Sequence, residues 1–150
     1  MSGEPKTVAI RIMVVDDHEV ARRSIRSVLA SNPDLVVVSE AANGDEALQQ
    51  AREHRPEIIL LDITLPGKSG IQVAASLRAI CPESRIIFVS QHDSVQIAND
   101  AMSVGGYGYV VKSDAGFDLL AAIAAARKGE VFVSKTLLAR GWKSRSAGHW

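Results

Sequence analysis

The chain has 150 residues, with 17 basic and 17 acidic side chains, 47% hydrophobic and 23% charged. That is enough to bury a core as one domain, and the balanced charge singles out neither nucleic acid nor a membrane as a partner. Its one cysteine, Cys81, excludes an internal disulfide, and no stretch has the length and flanks of a signal peptide or membrane span, so a cytoplasmic setting is expected. After a polar leader, residues 1–7, apolar residues arrive in short Val- and Ile-rich runs at 8–15, 35–39, 58–61, 86–89 and 109–111. The runs are mostly continuous and not alternating, as parallel strands covered on both faces require. Residues 19–30, 45–53, 70–80, 95–104 and 117–127 carry apolar side chains at helical spacing, and turn signals such as Asn43-Gly44-Asp45 and Pro66-Gly67 fall at the junctions. Strict alternation predicts an α/β fold with a doubly wound parallel sheet of five strands, its chemistry at the carboxyl ends of those strands.

Those ends are informative. The first strand leads into Asp16 and Asp17, the third into Asp62, the fourth into Ser90 and the fifth into Lys112. Two negative charges roughly 4 Å apart repel by about 4 kcal/mol at an effective dielectric of about 20, so a carboxylate trio on one edge calls for a cation or for protons. A hard divalent ion suits it best. Mg2+ takes oxygen ligands and keeps several waters, so carboxylates, a backbone carbonyl, water and phosphate oxygens make an ordinary shell. Asp62, on the central strand, is the candidate nucleophile for an aspartyl-phosphate, with Lys112, Ser90 and the cation facing the phosphoryl oxygens. An isolated Asp before Pro-Gly reads as a turn cap; the joint set of Asp16, Asp17, Asp62, Ser90 and Lys112 carries the phosphoryl-transfer reading.

The stretches "IRIMVVDDHEVARRSIRSVL", "EAANGDEALQQAREHRPEIILLDITLPGKSGIQV" and "GGYGYVVKSDAGFDLLAAIAAARKGEVFVS" resemble the receiver domain of a two-component response regulator, in the subfamily found ahead of LuxR-type helix-turn-helix domains. The resemblance spans roughly residues 8–134, with 8–130 expected as the receiver and 131–150 as a linker or tail. It implies a (βα)5 flavodoxin-like fold with strand order 2-1-3-4-5. It implies that Asp62 accepts phosphate from a histidine kinase or phosphotransfer protein, and that Asp16, Asp17, Asp62 and the backbone carbonyl of Thr64 hold Mg2+. It further implies that Ser90 and Lys112 engage the phosphoryl group, and that the rotamer of Tyr109 follows Ser90; packing at a strand edge is the plainer reading of Tyr109. A phosphorylation-dependent homodimer through the fourth helix, fifth strand and fifth helix is the implied output, with no catalysis beyond the chain's own phosphorylation and dephosphorylation.

Three positions depart from the commonest receiver pattern: Gln91 stands where Ala or Gly is usual, Ser113 where Pro is frequent, and Ser90 where Thr is frequent. Gln91 is therefore a candidate gate beside the pocket, and without proline the peptide after Lys112 is expected to be trans. His18 and His92 read as loop-surface residues, since no Cys or His partner stands at zinc spacing. The tail, with Lys135, Arg140, Lys143 and Arg145 around Trp142 and Trp150, is too short for a helix-turn-helix, so no direct DNA binding by this chain is expected. It reads as the start of a linker, the end of a single-domain regulator, or a basic segment for acidic partners. Two other functions fit these residues less well. A haloacid-dehalogenase-type phosphatase needs a second Asp two residues after the nucleophile, where Thr64 stands; a phosphorylation-independent interaction module would not need the intact acidic, hydroxyl and lysine positions.

Overall fold

The computed structural model describes residues 9–143. Strands β1 (Ile10–Val15), β2 (Leu35–Ala41), β3 (Ile58–Leu61), β4 (Arg85–Ser90) and β5 (Gly108–Val111) alternate with helices α1 (Glu19–Leu29), α2 (Gly44–His54), α3 (Gly70–Ile80), α4 (Val95–Ser103) and α5 (Ala115–Arg127). A short 3-10 turn, Lys112–Asp114, joins β5 to α5, and β6 (Phe132–Val133) and α6 (Lys135–Ala139) follow. None of these helices is long and apolar enough to cross a membrane.

Successive side chains of the buried strands point to opposite faces, and each face has its own core. Met13, Val15, Ile59, Leu61, Phe88 and Tyr109 pack under α2, α3 and α4 with Ala47, Val73, Leu77 and Ala98. Ile12, Val14, Leu60, Ile87, Val89 and Val110 pack under α1 and α5 with Ile25, Leu29, Leu119 and Ile123. Burying each of the large aliphatic side chains stabilises the fold by roughly 1.5–3 kcal/mol over leaving it exposed. This two-sided burial is why the runs read as continuous.

The sheet has six strands, in the order β2-β1-β3-β4-β5-β6, and not the expected five in the order 2-1-3-4-5. All neighbouring pairs are parallel. The sixth strand is only two residues long, too short for a periodic signal, and its cause lies in the edge it covers. Phe132 and Ser134 donate their backbone N–H groups to the carbonyls of Tyr107 and Tyr109, at 3.1 and 3.0 Å. The Ser134 hydroxyl accepts from Val111 N–H at 2.9 Å, so the outer backbone groups of β5 are satisfied. Past this strand, Leu137 and Trp142 are buried in the same core as Tyr109, and Arg140 pairs with Asp93 at 3.0 Å. The leader 1–7 and the tail residues Arg145 and Trp150 lie outside the described residues.

Candidate functional site

A parallel sheet puts all its strand ends on one edge, and register decides which side chains meet there. Val15 of β1 is level with Leu61 of β3. Both ladders run one residue further, Asp16 N–H donating to Ala41 O at 3.0 Å and Asp62 N–H to Val15 O at 2.9 Å. Asp16 and Asp62 are therefore neighbours, only 1% and 3% exposed. Space is tight on the far side of Asp62, where a Cβ on Gly70 would stand 2.0 Å from the Asp62 carbonyl oxygen, so only glycine lets α3 start this close. The helix is then held by a capping box between Ser69 and Gln72.

Lys112, at the end of β5, reaches across the edge. Its ammonium donates to Asp62 Oδ2 at 3.1 Å and lies 2.7 Å from Asp16 Oδ2. The second contact is an ion pair whose geometry falls short of a directed hydrogen bond, so Asp16 Oδ2 stays without one, as does the buried Asp17 Oδ1. Burial pushes the Asp62 carboxyl above its usual range; the Lys112 charge offsets part of that rise, and the neighbouring Asp16 adds to it. Burial alone would lower the pKa of Lys112, but its contacts with Asp16 and Asp62 overcome that and hold it above the usual lysine value.

Asp16, Asp17, Asp62 and His18 each offer a ligand atom, all within 4.8 Å of one another. Three carboxylates against one ammonium leave a local charge of −2 when His18 is neutral. Two buried carboxylate oxygens without a hydrogen bond, hard donors and that charge fit a divalent cation such as Mg2+. Arg22 holds this loop from beneath: its guanidinium donates to the Asp16 carbonyl at 2.6 Å and to Glu40 at 3.0 Å, and Arg26 donates to both Glu40 oxygens.

On the other flank Ser90 is fully buried, and its hydroxyl accepts the His92 N–H at 3.1 Å. Thr64 N–H donates to Asp62 Oδ1 at 3.3 Å, and the Thr64 hydroxyl meets His92 Nε2 at 2.8 Å. The hydroxyl of Tyr109 donates to the His92 carbonyl at 2.9 Å; its ring is fully buried beside Phe88, and that burial raises its pKa. Gln91 is exposed, with no side-chain hydrogen bond among the described residues, and the peptide after Lys112 is trans. The structure thus brings Asp16, Asp17, Asp62, Lys112, Thr64 and Ser90 to one edge and links Tyr109 to it through His92, while Gln91 touches none of them by hydrogen bond.

Three further residues make contacts at the site that no hydrophobic pattern signals. His18 and His92 stand in loops, as expected, and His18 is exposed, yet one ring meets the carboxylates and the other bridges two loops; Arg22 has no signal in the sequence. The usable signal for His92 was spacing, since it stands two residues past Ser90 as Thr64 stands two past Asp62.

The sequence profile of the response regulator receiver domain matches residues 12–124. The chain belongs to that family. It is 31% identical over 129 residues to the oxygen regulatory protein NreC of Staphylococcus haemolyticus, covering 85% of this chain and 59% of NreC. It is 33% identical over 134 residues to the nitrate/nitrite response regulator protein NarL of Escherichia coli K12, covering 89% and 60%. Among solved structures, a LuxR-family two-component response regulator from Aurantimonas sp. SI85-9A1 superposes with a TM-score of 0.83 at 35% identity, covering 87% of this chain and 94% of that one. The receiver spans about three-fifths of the length of the curated relatives it matches.

Proposed function

We propose that this receiver domain takes a phosphoryl group from a histidine kinase or phosphotransfer protein onto Asp62 and relays the event to the face made by α4, β5 and α5. The observation that carries this reading is the buried Asp62 carboxylate held 3.1 Å from the Lys112 ammonium, with Asp16 at the same ammonium. In the transfer, an Asp62 oxygen attacks phosphorus, the P–N bond to the donor histidine breaks, and the leaving imidazole keeps the electron pair and takes up a proton. Mg2+ held by Asp16, Asp17, Asp62 and the Thr64 carbonyl would supply positive charge to the phosphoryl oxygens. Lys112, kept protonated by its two carboxylates, is placed to follow the negative charge from Asp62 to the new phosphoryl oxygen. Ser90 accepts from His92 and so keeps its own proton to donate.

A shift of Ser90 toward the phosphoryl group pulls on His92, whose carbonyl anchors Tyr109. Because Tyr109 is already buried, phosphorylation stabilises an arrangement the fold holds and does not have to build it. The output proposed is phosphorylation-dependent pairing of two copies, and, by likeness to NreC and NarL, control of a regulatory response. Intact-mass measurement with acetyl phosphate tests the reading. One added phosphoryl group is expected with Mg2+ present, and none in Asp62→Ala or in EDTA; equal labelling of that variant contradicts it.

A further inference from the structure

We infer that His18 is a nitrogen ligand of the cation site, and that the site therefore takes imidazole-accepting divalent ions such as Zn2+ in preference to what three carboxylates alone would select. The inference rests on the reading of Asp16, Asp17 and Asp62 as cation ligands and adds the residue that sets the choice of ion.

The backbone of His18 is tied beside the carboxylates, and the ring lies within reach of them. His18 N–H donates to Asp16 Oδ1 at 2.9 Å, which ties the residue over the carboxylates, and His18 makes no side-chain cap on α1. Its Nδ1, the ring nitrogen nearest the backbone, lies 3.1 Å from Asp17 Oδ1 and 3.4 Å from Asp16 Oδ1. Ligand atoms bonded to one ion at about 2.1 Å stand roughly 3.0 Å apart at an octahedral edge and roughly 3.4 Å apart at a tetrahedral one. The observed separations, which also suit an ion pair between the ring and the carboxylates, match those of atoms sharing one ligand shell.

A second observation points the same way. Asp16 is 1% exposed and its Oδ2 is met by the Lys112 ammonium at 2.7 Å, while the buried Asp17 Oδ1 has no hydrogen bond. Lys112 offsets one of the three negative charges, and the remaining charge of −2 is met by no other side chain within the cluster. An all-oxygen set suits Mg2+, whereas an imidazole nitrogen raises affinity for borderline first-row ions in the order that ends near Cu2+ and Zn2+. With 68% of its side chain exposed, His18 swings onto an arriving ion without opening the core.

Calorimetric titration of the whole chain with Zn2+ and, separately, with Mg2+ tests this, alongside the ring 15N resonances of the histidines. His18→Ala and the size-conserving His18→Gln are expected to lose about tenfold in Zn2+ affinity and less than about threefold in Mg2+ affinity, as the ligand preferences of the two ions require. In the parent, Zn2+ is expected to shift the His18 Nδ1 resonance, and Asp17→Asn to abolish that shift. If Mg2+ binds but Zn2+ leaves the His18 nitrogen unmoved, or both ions lose affinity equally in the His18 variants, His18 is not a ligand. If neither ion binds the parent, the cation reading of the three carboxylates fails first and this inference with it.

Discussion

The Thr64 hydroxyl and His92 Nε2 lie 2.8 Å apart, which ties the loop after Asp62 to the loop after Ser90. On the proposed function, a donor or a water that reaches Asp62 between these two loops would have to pass this tie. His92→Ala is expected to speed both labelling by acetyl phosphate and loss of phosphate by about fivefold, which corresponds to about 1 kcal/mol of barrier. Thr64→Val should do the same, and the double variant no more than either alone, because one bond is being removed twice. Additive single effects would show that the two residues act separately.

Gln91 precedes His92 in the chain but is exposed and makes no side-chain hydrogen bond among the described residues, so gating by Gln91 would have to act through bulk alone. Gln91→Ala is expected to raise both rates in the same direction as His92→Ala, by a smaller factor. Separate stopped-time measurements of labelling and loss are needed, since steady-state occupancy barely moves when both rates rise. A larger effect at Gln91 than at His92 would reverse the order proposed.

Lys112 occupies the positive corner of the cluster, 2.7 Å from Asp16 and 3.1 Å from Asp62. An incoming cation competes with it for the same oxygens. Lys112→Met is therefore expected to tighten Mg2+ binding by about tenfold, or about 1.4 kcal/mol, while abolishing stable phosphorylation. Weaker Mg2+ binding in that variant would mean that Lys112 shapes the site instead of competing for it.

Burial raises the Asp62 carboxyl above its usual value of about 3.8 and Asp16 adds to the rise, although Lys112 offsets part of it, so ionising Asp62 weighs against the fold. The folded state binds more protons there than the unfolded chain does, so its contribution to stability falls as pH rises from about 3.8 through the folded value. Asp62→Asn removes the ionisation and is expected to raise Tm at pH 7 in EDTA, by about 2–4 °C for each kcal/mol relieved. The gain should shrink as pH falls toward 4. A gain that stays constant or grows on acidification would contradict the assignment.

Five strands and five helices were legible because each carries a hydrophobic pattern of its own, and the site's main members were legible because they end strands whose edge the topology fixes. Asp16, Asp62 and Lys112 meet for that reason. Phe132–Val133 was not legible, since a two-residue strand has no pattern and pairs only because β5 offers an open edge. The contacts of His18, His92 and Arg22 were not legible for another reason. Their contacts depend on how loops and long side chains turn back over the strand ends, and no periodicity encodes that.

Borohydride trapping tests Asp62 as the phosphoacceptor most directly. The reagent reduces an acyl phosphate to an alcohol with release of phosphate, and leaves free carboxylates untouched. Peptide mapping after treatment with acetyl phosphate, Mg2+ and borohydride should find homoserine at position 62, with Asp16 and Asp17 unchanged. Homoserine at either of those positions, or none at 62 in a chain that has gained a phosphoryl group, would contradict the account.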